Sequence, residues 1–169
     1  MSKPAPAPAP ARSFLSSVQR AVLGTVLASA AGLAAAHGDV TPQAVDTSEL
    51  QQLGEAWRET NPYRGDEKAI KIGSSAYNQN CARCHGLEAV SGGIAPDLRR
   101  LDNDCSNVKQ PVRRAACVKD VDDYYLTSVR RGKVRNGAVY MPPFEGVLSQ
   151  EAFWSIKAYL ETRREKPLN

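Results

Sequence analysis

The sequence is poor in side chains that bind metals or cofactors through sulfur or imidazole. Its 169 residues include four cysteines, two histidines and two methionines, one of which is Met1. A zinc site needs a second ligand pair, and neither Cys105 and Cys117 nor His37 is spaced as one. Beyond residue 36 no apolar run is long enough to cross a bilayer, so no membrane span is expected there.

Two of the four cysteines and one of the two histidines lie in one short motif, Cys81-Ala82-Arg83-Cys84-His85. C-x-x-C-H is the attachment signature of a c-type haem, in which each thiol bonds one vinyl group and the histidine binds the iron. A thioredoxin-type redox pair is one alternative, although it needs no histidine here, and half of a zinc site is another. A ligating histidine normally donates its second ring N–H to an oxygen, and the carbonyl of Pro96 is the candidate acceptor.

Met141 is the candidate for the sixth iron ligand. It is the only methionine besides Met1, and it stands directly before Pro142 and Pro143. Two prolines forbid a helix and stiffen the backbone, which predicts a loop that presents the thioether to the iron. His/Met ligation favours electron transfer over oxygen or peroxide chemistry. The alternative is a buried methionine that only fills space in the core.

Residues 1–36 have the pattern of a cleaved secretory signal peptide. A positively charged region with Lys3, Arg12 and Arg20 precedes an apolar stretch from about residue 21 to 33. Three alanines ending at Ala36 fit the rule of small residues at the cleavage site. An uncleaved membrane anchor is the alternative, but the apolar stretch is short for a span. Cleavage would lower the formal net charge from +4 to +1 and place the mature chain in the periplasm, where disulfides persist.

The mature chain divides into an N-terminal extension, residues 37–65, and a domain, residues 66–169. In the extension, Leu50, Leu53 and Trp57 have helical spacing after Ser48, which predicts a short capped helix packed on the domain together with Tyr63. Within the domain no stretch is a convincing strand. The expected fold is therefore all-α, with three to four helices around one covalent haem.

Three helices of the domain have recognisable ends. The first is predicted from about Asp66 to Asn80, the second from Val121 to Arg131 before Gly132, and the last from the N-cap Ser149. Residues 99–119 between the first two helices look like an insert that contains Cys105 and Cys117. In an oxidising compartment this leftover pair is most simply a disulfide, and two free thiols are the alternative.

A basic run leads from the second helix to the methionine loop. It comprises Arg130, Arg131, Lys133 and Arg135. Because Met141 must reach the iron, these charges are expected on the haem side of the molecule. They form either a solvated face or a docking patch for an acidic partner, which would speed association and lose its effect in salt.

These motifs together resemble the class I cytochromes c over about residues 66 to 165. The glycine–aromatic–cysteine spacing of Gly73, Tyr77 and Cys81 and the stretch 156–160 resemble the family's crossing helices. Pro96 and Met141-Pro142 resemble its histidine-bonding proline and its sixth-ligand loop. The resemblance implies the class I cytochrome c fold. The extension and the cysteine-bearing insert depart from the family pattern.

A narrower resemblance, from about His37 to the C-terminus, is to the cytochromes c-550 that accept electrons from pyrroloquinoline-quinone alcohol dehydrogenases. It rests on the stretches 57–65, 77–81, 91–98 and 137–144. We expect a single-electron carrier, not an enzyme, with no nucleic-acid partner; the oligomeric state is open, although a small carrier is most often a monomer. The resemblance implies its partners. Its donor would be a periplasmic quinoprotein, in particular an ethanol dehydrogenase, and its acceptor a terminal oxidase or another cytochrome.

Two other functions remain open at this point. A ligand-binding or sensing haem protein would require Met141 to dissociate so that carbon monoxide, nitric oxide or oxygen could bind. An enzyme such as a peroxidase would need a free iron position, and the His85/Met141 pair leaves none.

Overall fold

The computed structural model describes residues 41–168 of the protein, and the predicted leader and its cleavage site lie outside them. The described part is rich in helix. It contains α1 (Glu67–Asn80), α2 (Ala82–His85), α3 (Asn103–Ser106), α4 (Pro111–Arg131), β1 (Lys133–Arg135), β2 (Ala138–Met141) and α5 (Gln150–Thr162), with 3-10 turns at Leu87–Ala89 and Leu98–Arg100. Within residues 41–168, no helix combines the length and apolar character that crossing a membrane requires.

The fold is centred on the crossing of α1 and α5, the most extensively packed pair of helices. Each begins at a side-chain cap, because Asp66 accepts a hydrogen bond from the Ala69 amide and Ser149 accepts one from the Ala152 amide. Gly73 allows the close approach: a Cβ at this position would lie 1.9 Å from the carbonyl oxygen of Ser155. The residues of α5 from Gln150 to Leu160 are all buried, so α5 forms the centre of the core.

The helix predicted at 121–131 is longer than expected. α4 begins at Pro111, with proline in the first turn where its missing N–H costs nothing, and it ends before Gly132 as predicted. The supposed insert is therefore partly helical, since residues 111–119 form the first half of α4. The predicted disulfide between Cys105 and Cys117 is present and joins α3 to this half of α4.

The expectation of no strand is wrong, because β1 and β2 form an antiparallel hairpin. Its turn is Asn136-Gly137, and both residues have positive φ, of 50° and 77°. Asn-Gly is the residue pair that suits a tight two-residue hairpin, so this signal was present in the sequence. Met141 accordingly ends a strand instead of standing in an irregular loop.

The short helix predicted after Ser48 is also absent. Residues 47–57 form a turn followed by irregular chain, although Leu50 and Leu53 are buried. The Leu53 amide donates instead to the Glu151 carboxylate on α5, 2.8 Å away. Tyr63 is buried and Trp57 stacks on Phe153, so the segment from 41 to 65 packs on α5 without being helical.

Candidate functional site

The C-x-x-C-H motif forms a tight helical turn at the end of α1. The amides of Cys84 and His85 both donate to the carbonyl oxygen of Cys81, at 3.1 and 2.9 Å. The two thiols at 81 and 84 form no disulfide. Burial, with the neighbouring Cys84 thiol as a smaller cause, raises the pKa of Cys81 to about 12. The Cys81 thiol is therefore uncharged and set in an apolar environment.

The orientation of His85 is fixed by one hydrogen bond. Its Nδ1 donates to the carbonyl oxygen of Pro96 over 2.9 Å, since a carbonyl can only accept. The ring therefore carries its proton on Nδ1, and Nε2 keeps a free lone pair. Burial lowers the pKa of His85, although the bond to Pro96 opposes this effect. The neutral form, which is the form that binds a metal, thus prevails at pH 7.

The chain beyond His85 is held close to α1. The Tyr77 hydroxyl donates to the carbonyl oxygen of Gly86 over 2.7 Å. Gly86 itself faces the next turn so closely that a Cβ would lie 1.8 Å from the carbonyl oxygen of Val90. The turn after the motif therefore has no room for a side chain, and Tyr77 connects it to the buried face of α1.

Met141 is held by a second part of the fold, at the C-terminal end of α4. It is half-buried against the core. A Cβ on Gly132 would lie 2.3 Å from the Met141 carbonyl oxygen, so strand β2 returns directly onto the end of the helix. The Phe144 amide then donates to the carbonyl oxygen of Val129 over 3.0 Å, and Phe144 is buried. Both ends of the methionine segment are thus attached to α4.

Several large apolar side chains near these two places in the sequence are exposed. Leu87 and Ile94 follow His85 and are 73% and 80% exposed, while Val139 and Tyr140 precede Met141 and are 64% and 66% exposed. Exposed apolar surface of this kind marks a place where another apolar group binds. With the free thiols and the available Nε2 of His85, these side chains fit a covalently attached porphyrin.

The four residues of the basic run are not equivalent. Arg131, Lys133 and Arg135 are exposed, and within residues 41–168 no carboxylate forms an ion pair with them. Arg130 differs, because its side chain is only 25% exposed and pairs with Glu145 at 2.5 Å. Three of the four are therefore available at the surface, next to the strand that carries Met141.

A cavity of about 590 Å³ lies elsewhere, between the segment near Arg64, the first half of α4 and the tail after α5. Most of its cations already have partners, since Arg64 pairs with Asp122 and Lys119 with Glu59. None of the sequence-predicted site residues lines this cavity. In the described part of the chain, no cluster of three His, Cys, Asp or Glu side chains could hold a metal ion.

Comparison with known proteins identifies the class. Residues 68–160 match the family model described as cytochrome c oxidase, cbb3-type, subunit III. The chain is also 50% identical to cytochrome c550 of Pseudomonas aeruginosa over 149 residues, which make up 86% of this chain and 93% of that protein. The chain belongs to the class I c-type cytochromes. It binds haem c covalently and is an electron-transfer protein.

Two larger relatives are quinohemoprotein alcohol dehydrogenases. The quinohemoprotein alcohol dehydrogenase ADH-IIG of Pseudomonas putida is 50% identical over 98 residues, which are 58% of this chain and 11% of that protein. ADH IIB of the same species is 26% identical over 106 residues, 63% of this chain and 13% of that protein. This chain thus spans only about a tenth of either dehydrogenase. No solved structure matches it.

Some residues around the site were not singled out from the sequence. Glu145 and the packing role of Gly132 depend on contacts between α4 and the segment after β2, which no local pattern reveals. The Asn136-Gly137 turn was a readable signal for the hairpin that carries Met141. Trp57 was expected to pack on the domain, but its contact with Arg130 was not foreseen.

Proposed function

We propose that the protein is a periplasmic one-electron carrier that accepts electrons from a quinoprotein alcohol dehydrogenase. In this proposal Cys81 and Cys84 form the thioethers to one haem, and His85 and Met141 are the axial ligands. The reduced protein then passes its electron to a terminal oxidase or to another cytochrome. The observation that carries the ligand assignment is the His85–Pro96 hydrogen bond, which leaves Nε2 as the only basic nitrogen of the ring.

The chain's own residues prepare the site for this role. When bound, the haem supplies an iron that takes up and releases one electron at a time. Pro96 holds the ring of His85 in one tautomer and one orientation. Gly132 and Phe144 hold the segment of Met141 against α4, from where its thioether would supply the second ligand to the iron. An iron bound by both His85 and Met141 would have no place for a substrate, which favours a carrier over an enzyme.

The donor is inferred from two similarities. The chain resembles cytochrome c550 over nearly its whole length, and it resembles a part of each quinohemoprotein alcohol dehydrogenase. A carrier related to part of a dehydrogenase is suited to receive electrons from a separate enzyme of the same chemistry. We also propose that residues 1–36 are a signal peptide, that residues 37–65 are an extension and that residues 66–169 are the cytochrome domain.

The docking surface in this proposal is formed by Arg131, Lys133 and Arg135. Lys133 is paired with Met141 in the hairpin, so the charges lie beside the methionine segment. Its ammonium group lies 4.6 Å from the centroid of the Tyr124 ring, which holds the side chain at the surface. Cations placed beside the electron entry point would attract an acidic partner and orient it.

The test is anaerobic stopped-flow reduction of the oxidised protein by a reduced quinoprotein ethanol dehydrogenase, across a series of salt concentrations. Fast reduction that slows as salt rises supports both the partner and the docking surface. The variant R131Q/K133Q should then be reduced several-fold more slowly at low salt. The matched control K109Q/R113Q removes the same charge from exposed positions elsewhere and should behave like the wild type.

The outcomes separate the parts of the proposal. Equal slowing of the reduction in both double variants would show that only the net charge matters, and it would exclude the proposed docking surface. Fast reduction that salt does not affect would keep the dehydrogenase as donor without electrostatic docking. No reduction of a haem-loaded protein would exclude the proposed donor.

A further inference from the structure

A stack of side chains connects the N-terminal segment to the chain that follows Met141. The guanidinium carbon of Arg130 lies 4.1 Å from the centroid of the Trp57 ring. The Trp57 ring also stacks on Phe153 of α5, with centroids 5.7 Å apart and planes inclined by 29°. Phe153 is fully buried. Trp57 therefore forms a bridge from the rigid centre of the core to the last turn of α4.

Arg130 extends the stack to the methionine segment. One of its terminal nitrogens donates to the Glu145 carboxylate over 2.5 Å. The Glu145 amide donates back to the carbonyl oxygen of Arg130 over 3.4 Å. Glu145 is thus attached to the same residue through its side chain and its backbone. We name the four residues Phe153, Trp57, Arg130 and Glu145 the buttress.

The buttress acts at one end of the segment that contains Met141. The other end lies against Gly132, where the Met141 carbonyl oxygen leaves no room for a side chain. Between the two ends, Pro143 is exposed, whereas Phe144 is buried and its amide donates to the carbonyl oxygen of Val129 over 3.0 Å. The contact of Arg130 with Glu145 therefore adds a second attachment, next to that of Phe144, to the chain that follows Met141.

We propose that Trp57 and Arg130 are positioning residues for Met141, and that the N-terminal segment supports the sixth iron ligand through the buttress. This inference rests on the proposed role of Met141 as that ligand. It gives Arg130 a different role from the exposed cations next to it. A planar guanidinium can stack on an indole while it donates to a carboxylate, which a lysine ammonium does less well. Phenylalanine in place of Trp57 would keep the stacking surface.

The test measures how easily Met141 is displaced in the haem-loaded protein. Imidazole is titrated into the oxidised protein, and its binding is followed by loss of the methionine–iron charge-transfer band. An external ligand gains apparent affinity when the methionine-bound state is weakened. Since a hydrogen bond to a charged group is lost, R130Q should bind imidazole about tenfold more tightly than the wild type. W57L should also bind imidazole more tightly than the wild type, and W57F should bind it with nearly the wild-type affinity.

A second measurement reports on the segment itself. Hydrogen exchange of the Phe144 and Glu145 amides should be several-fold faster in R130Q and W57L, because these amides bond to the end of α4. The control is L53A, which removes a buried side chain from the same N-terminal segment and leaves all four buttress residues in place. It should lower the unfolding temperature and leave both imidazole affinity and these two exchange rates unchanged.

The variant M141A distinguishes the possible failures. If M141A retains the charge-transfer band, Met141 is not the ligand, and this inference fails with the proposed ligand assignment. If M141A loses the band while R130Q and W57L behave like L53A, the ligand assignment stands and only the buttress is wrong. Equal effects of W57F and W57L would likewise exclude a role for the stacked ring.

Discussion

Gly73 of α1 faces Ser155 of α5 so closely that a methyl group on Gly73 would lie 1.9 Å from the Ser155 carbonyl oxygen. The neighbouring atoms are backbone on a buried helix, so they cannot move aside as a side chain could. Because α1 leads directly into Cys81, the separation of these two helices also sets where the haem attachment turn lies.

The first prediction is that G73A destabilises the protein. The added methyl group must push α1 and α5 apart, and overpacking of this kind lowers the free energy of unfolding by about 1–3 kcal/mol. Denaturant unfolding of the haem-loaded protein measures the change. The matched control is G92A, because a Cβ at Gly92 meets nothing within 4 Å, and it should change stability by less than about 0.5 kcal/mol. Equal stability of the two variants would contradict the close crossing.

The second prediction concerns Met141. Replacing it with alanine should lower the reduction potential and open one axial position, because His/Met ligation is what raises the haem potential. The ferrous variant should then bind carbon monoxide rapidly, while the wild type should not. An unchanged potential and spectrum in M141A would show that another group is the ligand. Rapid, tight binding by the wild type at neutral pH would favour a sensing role over a simple carrier.

The third prediction is an acid-dependent contribution of Glu161. This carboxylate is buried and accepts from Arg64 and Lys157, at 2.9 and 2.8 Å. Burial alone would raise its pKa, but the hydrogen bonds from these cations outweigh burial, and the pKa lies below the ordinary 4.5. A lowered pKa in the folded state means that the stabilisation is complete above pH 4.5 and is lost as the pH falls through the native value.

The variant E161Q tests this linkage. It should be less stable than the wild type by about 3 kcal/mol at pH 7, since it leaves the buried Lys157 and the partly exposed Arg64 with fewer partners. The difference should shrink as the pH falls below 4.5, where the wild-type carboxylate becomes protonated. The control E55Q removes an exposed charge, and its stability should equal that of the wild type at every pH. A stability difference that does not change between pH 7 and pH 3 would exclude the proposed linkage.

The fourth prediction concerns the disulfide between Cys105 and Cys117. Cys105 is fully buried, while the first half of α4 is largely exposed and has few other attachments. The double variant C105A/C117A should lose about 3 kcal/mol of unfolding free energy, as expected for a loop of this length. Its haem spectrum should not change, because neither cysteine belongs to the C-x-x-C-H turn and the bond joins α3 to α4.

The variant K119Q tests whether the disulfide, and not a neighbouring ion pair, holds the first half of α4. Lys119 pairs with Glu59 at 2.6 Å, which is another attachment of the same half-helix, but both side chains are exposed. Such a pair contributes little to stability, because water and salt screen it. Hydrogen exchange across residues 111–119 should therefore accelerate much more in C105A/C117A than in K119Q. Comparable exchange in both variants would mean that the disulfide does not hold α4.

Features of this protein that depend on neighbouring residues could be predicted from the sequence. The C-x-x-C-H motif indicated covalent haem because its chemistry lies within five consecutive positions. Asp66, Ser149 and Gly132 marked helix ends because a cap bonds to amides only a few residues away. Pro111 and Asn136-Gly137 carried equally local signals for the start of α4 and for the hairpin, although neither was used.

Features that depend on contacts between distant residues could not be predicted in this way. The spacing of Leu50, Leu53 and Trp57 favoured a helix, but Glu151 binds the Leu53 amide from 98 positions away and the segment is irregular. The stacking of Trp57 on Arg130 likewise has no local signal. The physical reason is that helical spacing records which side chains prefer burial, while long-range hydrogen bonds and packing decide the backbone that buries them.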